Sequence, residues 1–272
     1  MNAPKQKAGI VAILDALGAA NYDDKEIEEF LEARSLIIRL LNDKAESVAE
    51  TLDVSQVKTY TFNDTMLIVL ESRGDRPTSA EIQAFATVLR KLLVDSLRRR
   101  IMFRGSFAVG QFYEDSATNT ILGRAVTDAA AWYNKADWIG ILATPRTTVH
   151  IDHLKEKDGK SWGHLLVRYD VPLSRNSTQS LWTINWPKVF WVNSITPCKD
   201  NETPRESFLK FLSHFNVPKG TESKHFNAIA FFDHVMKTLR LKNEANKRFH
   251  TYAKPVAGSP TVKRDVRHNS TG

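Results

Sequence analysis

Hydrophobic and polar positions in the first part of the chain alternate between strand-like and helix-like periods. Residues 9–14 form a β-branched, apolar run, which predicts a buried strand. Residues 23–49 repeat apolar positions at helical spacing and predict an amphipathic helix. Two further apolar runs, 56–62 and 65–70, flank the turn-forming pair Asn63 and Asp64 and therefore predict a β-hairpin.

The pattern continues with a second helix and two more strands before residue 150. Thr78 and Glu81 have the spacing of a capping box, so a helix is predicted from there to about residue 100. A strand is predicted over 102–112, a short helix over 123–136 and an apolar strand over 138–143. The element order βαββαβ, followed by αβ, predicts an α+β fold with a ferredoxin-like core.

The remainder of the chain predicts a different arrangement. Residues 165–171 and 180–186 are expected to be antiparallel strands, and 203–216 and 224–243 helices. We therefore expect one domain over 1–150 and an α/β extension packed on it over 151–252. Pro, Gly, Ser and Lys dominate residues 253–272, which we expect to be a disordered tail.

Composition restricts the classes of partner. No apolar run approaches the roughly 20 residues of a membrane span, and no signal cleavage site follows the N-terminus, so a cytoplasmic protein without membrane contact is expected. The single cysteine, Cys198, excludes an internal disulfide and a thiolate metal cage. A net charge of +7 favours anionic partners. No aromatic–basic or helix-turn-helix pattern accompanies it, so nucleic acid is not predicted as a partner.

Two carboxylates stand at the ends of apolar strands. Asp15 ends the first predicted strand, and Asp64 lies in the predicted hairpin turn. A carboxylate at the end of a buried strand must be solvated, capped or bound to a cation. Two of them suggest one shared site for a hard divalent metal ion. Taken singly, Asp15 could instead cap a helix and Asp64 could serve only as a turn residue.

Four segments carry a resemblance to a known family. They are Asp15-Ala-Leu-Gly-Ala-Ala20, Tyr60-Thr-Phe-Asn-Asp64, Arg104-Gly-Ser-Phe-Ala-Val-Gly110 and Gly123-Arg-Ala-Val-Thr-Asp-Ala129. In this element order they resemble the catalytic domain of class III nucleotidyl cyclases over about residues 8–145.

The resemblance implies a metal-dependent reaction on a nucleoside triphosphate. Asp15 and Asp64 would be the catalytic carboxylates that bind two Mn²⁺ or Mg²⁺ ions, helped by a main-chain carbonyl near Ala16. The triphosphate would lie on the amides of the following loop. That loop comprises Leu17, Gly18, Ala19 and Ala20. The resemblance also implies a homodimer with active sites shared between subunits, and a separate downstream effector that binds the cyclic nucleotide.

The base-reading positions differ from those of purine cyclases. Tyr60 stands where adenylate cyclases have Lys and guanylate cyclases Glu, and Thr120 where the family usually has Asp or Cys. A tyrosine narrows the pocket and brings a hydroxyl, which favours a pyrimidine. This resembles the bacterial Pycsar pyrimidine cyclases of anti-phage defence. The expected substrate is UTP, giving cyclic UMP, with CTP and cyclic CMP as the alternative. Tyr60 could instead be only a cross-strand aromatic partner.

Two positions depart from the family pattern. Thr127 and Ala131 stand where the family has the Asn and Arg that steady the ribose and the transition state. Another cation could substitute. The nearest candidates are Arg124, Lys135 and Arg104. These departures leave open a degenerate cyclase that senses a nucleotide without converting it. The basic charge leaves open a ferredoxin-like nucleotide-polymerising or RNA-binding module.

Overall fold

A computed structural model describes residues 5–19, 22–52, 54–55, 57–115, 117–159, 162–174, 177–192, 202–215, 217 and 220–252. Ala20, Cys198 and the predicted tail over 253–272 lie outside these ranges. The chain divides after Met236 into a large unit and a second unit that begins at Lys237.

Eight strands and seven helices follow one another in the described ranges. The strands are β1 (Lys5–Ala16), β2 (Val57–Phe62), β3 (Thr65–Glu71), β4 (Phe103–Asp115), β5 (Thr120–Leu122), β6 (Gly140–Ala143), β7 (Leu166–Leu173) and β8 (Ser177–Ile184). The helices are α1 (Asp24–Leu52), α2 (Ser79–Arg98), α3 (Arg124–Trp132), α4 (Pro145–Asp158), α5 (Trp186–Val192), α6 (Pro204–Leu212) and α7 (Glu222–Tyr252).

The strands form one mixed sheet, so the predicted α+β class is confirmed. Seven strands are ordered β2-β3-β1-β4-β6-β8-β7, and β5 pairs with β4. β6 runs parallel to β4, whereas the other neighbours are antiparallel. The predicted βαββαβ order and the hairpin of β2 and β3 are present.

β1 is the strand that organises the core. Its residues from Ile10 to Leu14 are buried, and it pairs along most of its length with β3 on one side and β4 on the other. Strand geometry points alternate side chains to opposite faces. Ile13 and Ala108 therefore pack against Ala129 of α3, whereas Phe107 of β4 meets Phe85 of α2 on the opposite face. Helix α2 begins at the predicted capping box of Thr78 and Glu81.

Three elements were absent from the sequence prediction. Helix α4 buries few apolar side chains, so it shows no hydrophobic stripe, although Thr144 caps its start and Pro145 follows. β5 has three residues, and α5 has seven. Residue 150, the predicted domain boundary, falls inside α4. β7 and β8 continue the sheet through the pairing of Leu142 with Thr183.

Aromatic side chains hold the segments after β8 together. Trp186 of α5 contacts Phe208 of α6 and Phe232 of α7, and the Phe208 and Phe232 rings stack with centroids 4.3 Å apart. The cluster supplies an apolar core for a region whose sequence alone predicted only isolated elements. Among the described residues, no helix is long and apolar enough to cross a bilayer.

Close packing of β1 on β4 requires a glycine at position 105. A Cβ there would lie 2.5 Å from the Ile13 carbonyl oxygen and 3.1 Å from the Leu14 Cα. We expect Gly105→Ala to lower the free energy of unfolding by about 1–3 kcal/mol, because backbone atoms cannot yield as a flexible side chain does. Thermal unfolding measures this. Gly74→Ala is the matched control, since a Cβ there meets nothing within 4 Å. Equal melting temperatures for the two variants would contradict the close approach.

Candidate active site

The register of β1 against β3 brings the two predicted carboxylates together. Asp15 pairs with Thr65, the residue after Asp64, and the Ala16 amide donates to the Asp64 carbonyl at 3.3 Å. Burial raises the pKa of the Asp15 carboxyl, and the charge of Asp64 pushes it in the same direction. The two acids therefore share one electrostatic environment at the end of β1.

The hairpin turn that carries Asp64 is fixed from both sides. Asn63 adopts a left-handed conformation, with φ of 53°, which Asn tolerates better than most residues. The Arg34 guanidinium of α1 donates to the Asn63 carbonyl and lies over the Phe30 ring at 5.3 Å. Helix α1 therefore ties the turn to the rest of the site.

Arg104 is the cation that meets Asp15. It stands opposite Asp15 in the β1–β4 register, and its Nε and Nη2 donate to Asp15 Oδ2 at 3.1 and 3.0 Å. The Asp15 side chain is 17% exposed and that of Arg104 22%. This contact lowers the pKa of Asp15, but burial outweighs it and the net shift is upward.

The other two predicted cations lie on or after α3. Arg124 begins that helix and shares its exposed side with Thr127 and Ala131. Lys135 lies over the Trp132 ring, 4.4 Å from its centroid. Of the three candidates, the structure places Arg104 against a predicted catalytic carboxylate.

Asp15 and Asp64 fit a hard divalent cation by the chemistry of their donor atoms. Both offer carboxylate oxygens, the ligands that Mg²⁺ and Mn²⁺ prefer. The Arg104 contacts engage Oδ2 of Asp15, so Oδ1 is the oxygen through which Asp15 would bind a metal. In the described part of the chain, no group of three or more His, Cys, Asp or Glu side chains is arranged to hold a metal. The two acids would therefore need main-chain, water or substrate oxygens to complete a coordination shell.

The predicted triphosphate loop is only partly available to phosphate. The Leu17 amide donates to the Met102 carbonyl at 2.8 Å, so it is engaged within the chain. Gly18 has a φ of 86°, a conformation that glycine adopts without strain. A cavity of about 350 Å³ adjoins the loop. Its lining includes Leu17, Gly18, Arg99 and Arg100, but not the two acids.

Tyr60 lies on the same face of the sheet as Asp15, but its hydroxyl is held elsewhere. Register and alternation place Tyr60, Leu67 and Asp15 on that face. The Tyr60 ring packs on the core cluster that includes Val69. Its hydroxyl donates to Glu114 Oε1 at 2.8 Å. Glu114 stands ten residues after Arg104 along β4, so the hydroxyl is anchored towards the opposite end of that strand.

Thr120 begins β5 beside this region. It pairs with Asp115, the residue after Glu114, and its hydroxyl accepts a hydrogen bond from the Thr118 hydroxyl at 3.0 Å. The two predicted base-reading residues are thus both connected to the end of β4. They are grouped apart from Asp15 and Asp64 within one chain.

Two residues of the site were missed at the level of sequence. Glu114 shares strand parity with Arg104, which would have placed both on one face of β4. Its contact with Tyr60 also depends on how the strands β2, β3, β1 and β4 are ordered and twisted, which a single sequence does not reveal. No sequence pattern marks Arg34 as a site residue, beyond its position in a predicted helix.

Comparisons with known proteins return structural neighbours of low identity. No model of a protein family matches the sequence, and no curated protein matches it. The adenylyl cyclase CyaB from P. aeruginosa is 12% identical, with a TM-score of 0.42 over 67% of this chain and 96% of that one. The catalytic core of a rhodopsin-guanylyl cyclase with converted specificity, in complex with ATPαS, is 12% identical, with a TM-score of 0.42 over 67% of this chain and 98% of that one. A bacterial light-regulated adenylyl cyclase is 13% identical, with a TM-score of 0.38 over 77% of this chain and 100% of that one. At these values the function must be argued from the residues of this chain.

A divalent cation should stabilise the protein through Asp15 and Asp64. With Mn²⁺ at 100 times its dissociation constant, binding to the folded state adds about 2.7 kcal/mol, or roughly 5–10 °C in melting temperature. Asp15→Asn and Asp64→Asn should each lose most of this shift, because each removes one charged ligand. Asp75→Asn, at an exposed loop position, is the control and should keep it. A full Mn²⁺ shift in both site variants would refute the metal assignment.

Proposed function

We propose that the chain is a pyrimidine nucleotide cyclase that converts UTP to 3′,5′-cyclic UMP and pyrophosphate. The observation that carries the proposal is the β1–β3 register, which joins Asp15 to the Asp64 turn beside Arg104. The four segments that resemble class III cyclases include all three residues. The anti-phage role and a separate effector for the cyclic nucleotide belong to the same proposal and rest on the resemblance.

The reaction requires an in-line attack. The ribose 3′-hydroxyl gives its proton to water and its oxygen bonds to the α-phosphorus. The bond from that phosphorus to the α,β-bridging oxygen breaks, and pyrophosphate leaves with the electron pair of that bond. Bound divalent ions would lower the pKa of the 3′-hydroxyl and neutralise charge on the phosphates. Asp15 and Asp64 would hold the ions. The described amides of Gly18 and Ala19 would orient the phosphates at the end of β1.

Arg104 replaces a cation that the family places elsewhere. Its guanidinium occupies Asp15 Oδ2 in the free chain. A triphosphate would bring negative charge to the same end of β1, where Arg104 would pair with phosphate while Asp15 holds a metal ion through Oδ1. This role accounts for a cyclase that has Thr127 and Ala131 on the exposed side of α3.

In this proposal, Tyr60 and Thr120 recognise the base of the nucleotide. Within one chain, the Tyr60 hydroxyl and Thr120 both lie at the end of β4, away from Asp15 and Asp64. A symmetric dimer would resolve this separation by closing each site with the acids of one subunit and the base-reading residues of its partner. We therefore include a homodimer with shared sites in the proposal.

A direct assay tests the activity. We expect the wild-type chain with Mn²⁺ to form cyclic UMP from UTP, with slower formation of cyclic CMP from CTP, as identified by mass spectrometry of all four ribonucleotide reactions. Asp15→Ala and Asp64→Ala should each reduce turnover by roughly 100-fold or more, because the lost carboxylate removes electrostatic stabilisation of the transition state. Circular dichroism verifies their folding. A chain that shows a nucleotide-dependent thermal shift but forms no product would be a sensor instead.

Subunit mixing tests the shared site. Asp64→Ala and Tyr60→Ala should each be nearly inactive, but after subunit exchange the heterodimer has one site with both residues intact. Equal mixing under random pairing gives about half heterodimers, and hence roughly a quarter of wild-type turnover. A mixture that stays inactive after verified exchange would place Asp64 and Tyr60 in the same site. Mixing Asp64→Ala with Asp15→Ala is the control and should restore nothing, because both residues belong to one half-site.

A further inference from the structure

The Tyr60 hydroxyl has a charged and nearly buried partner. It donates to Oε1 of Glu114 at 2.8 Å, and the Glu114 side chain is only 7% exposed. The same carboxylate accepts from the Lys58 ammonium at 2.6 Å and from the Lys7 ammonium at 2.8 Å. Lys7 also contacts Glu71 at 2.7 Å. Tyr60 is therefore one member of a network of two acids and two lysines.

The network fixes where the hydroxyl proton lies. Burial alone would raise the pKa of Glu114, but hydrogen bonds from Lys58, Lys7 and Tyr60 outweigh it and lower the pKa to about 2. Burial and the hydrogen bond to Glu114 raise the pKa of Tyr60 to about 12. At neutral pH the carboxylate is ionised and the phenol is protonated. An ionised carboxylate only accepts, so the Tyr60 proton must point at Glu114.

The phenol oxygen of Tyr60 can therefore only accept further hydrogen bonds. A phenol has a single proton, and once that proton is used the oxygen can only accept. A base placed against Tyr60 must then present a donor. The preference depends on which ring position faces Tyr60. At position 3 uracil has an N–H donor, whereas cytosine has an unprotonated acceptor nitrogen there and carries its amino donor at position 4.

We propose that Glu114 is a positioning residue that fixes Tyr60 as a hydrogen-bond acceptor towards ring position 3 of the base, and thereby makes the base pocket prefer uracil to cytosine. This inference rests on the proposed function, since it assigns the base that the site reads. At that position cytosine would place its ring nitrogen, an acceptor, against the Tyr60 oxygen, also an acceptor, and an unpaired buried polar group is costly. Glu114 acts through Tyr60 and need not touch the nucleotide.

The test replaces Glu114 with Gln, which keeps its size but removes its charge. A glutamine amide can donate to the phenol oxygen, so the Tyr60 proton becomes free to serve an acceptor on the base. We expect the ratio of kcat/KM for UTP to that for CTP to fall about tenfold. Glu71→Gln is the control, because Glu71 contacts Lys7 and leaves the Tyr60–Glu114 bond in place. Its ratio should stay at the wild-type value.

A double variant separates positioning from general damage. In a Tyr60→Phe background there is no hydroxyl to orient, so Glu114→Gln should leave the ratio unchanged. Glu114→Asp, which keeps the charge on a shorter side chain, should give a ratio between wild type and Glu114→Gln. A ratio that falls equally with and without the Tyr60 hydroxyl, or that Glu114→Gln does not alter, overturns the proposal.

Two measurements do not require turnover. The Tyr60 ring-carbon signal, identified by its loss in Tyr60→Phe, should show no ionisation below pH 11 in the wild type, but should titrate in Glu114→Gln. UTP should raise the melting temperature more than CTP in the wild type, and Glu114→Gln should reduce that difference. If these hold while no cyclic product forms, the cyclase proposal fails and the Glu114 assignment stands. Equal shifts with UTP and CTP in the wild type, or no shift with either, overturn the Glu114 assignment.

Discussion

The pairing of β1 with β3 and β4 is the constraint on which both ends of the site depend. Because Asp15 pairs with Thr65 on one side and Arg104 on the other, one register fixes an acid, its neighbouring acid and its counter-ion. A slip of one residue would turn Asp15 to the opposite face of the sheet, towards the side covered by α2. The absence of a side chain at Gly105 lets β4 approach β1 closely at the next position, so the packing that secures the register also secures the charge pair.

The charge balance at Asp15 explains why this end of β1 favours a cation. Two carboxylates lie together and the contacts of Asp15 bring in one guanidinium, Arg104. Burial raises the pKa of Asp15, so keeping this carboxyl ionised at neutral pH lowers the stability of the folded chain. Its unfavourable contribution grows as pH rises through the range between its unfolded and folded pKa values. A divalent ion would offset that cost. A strained electrostatic arrangement of this kind is typical of a functional site.

The sequence predicted the parts of the fold that repeat a strong period and missed those that do not. The hairpin around Asn63, the capping box at Thr78 and the order of the first six elements follow from local patterns. Helix α4 was missed because its buried side chains are few and two of them are threonines. For the candidate site, the sequence pattern singled out Asp15 and Asp64, and the β1–β3 register brings the two positions together, while their roles stay a prediction. Glu114 could not be assigned, since its contact with Tyr60 spans four strands of a twisted sheet and depends on tertiary structure.

The two charged clusters on this face of the sheet differ in a way that separates their roles. At the Tyr60 end, Glu71 and Glu114 contact Lys7 and Lys58, so the charges balance within the contacts seen there. Glu114 therefore remains ionised over the whole working range of pH, and what the cluster presents outward is a fixed hydrogen-bond polarity. At the Asp15 end, burial raises the pKa of Asp15 despite its contact with Arg104, so a cation bound there would stabilise the ionised carboxylate. In the proposed function, a triphosphate with bound metal ions would lie at the Asp15 end and a base with a suitably placed donor at the Tyr60 end. The two clusters would then serve the two ends of a nucleotide through different chemistry, one by accepting a cation and the other by a fixed hydrogen-bond acceptor.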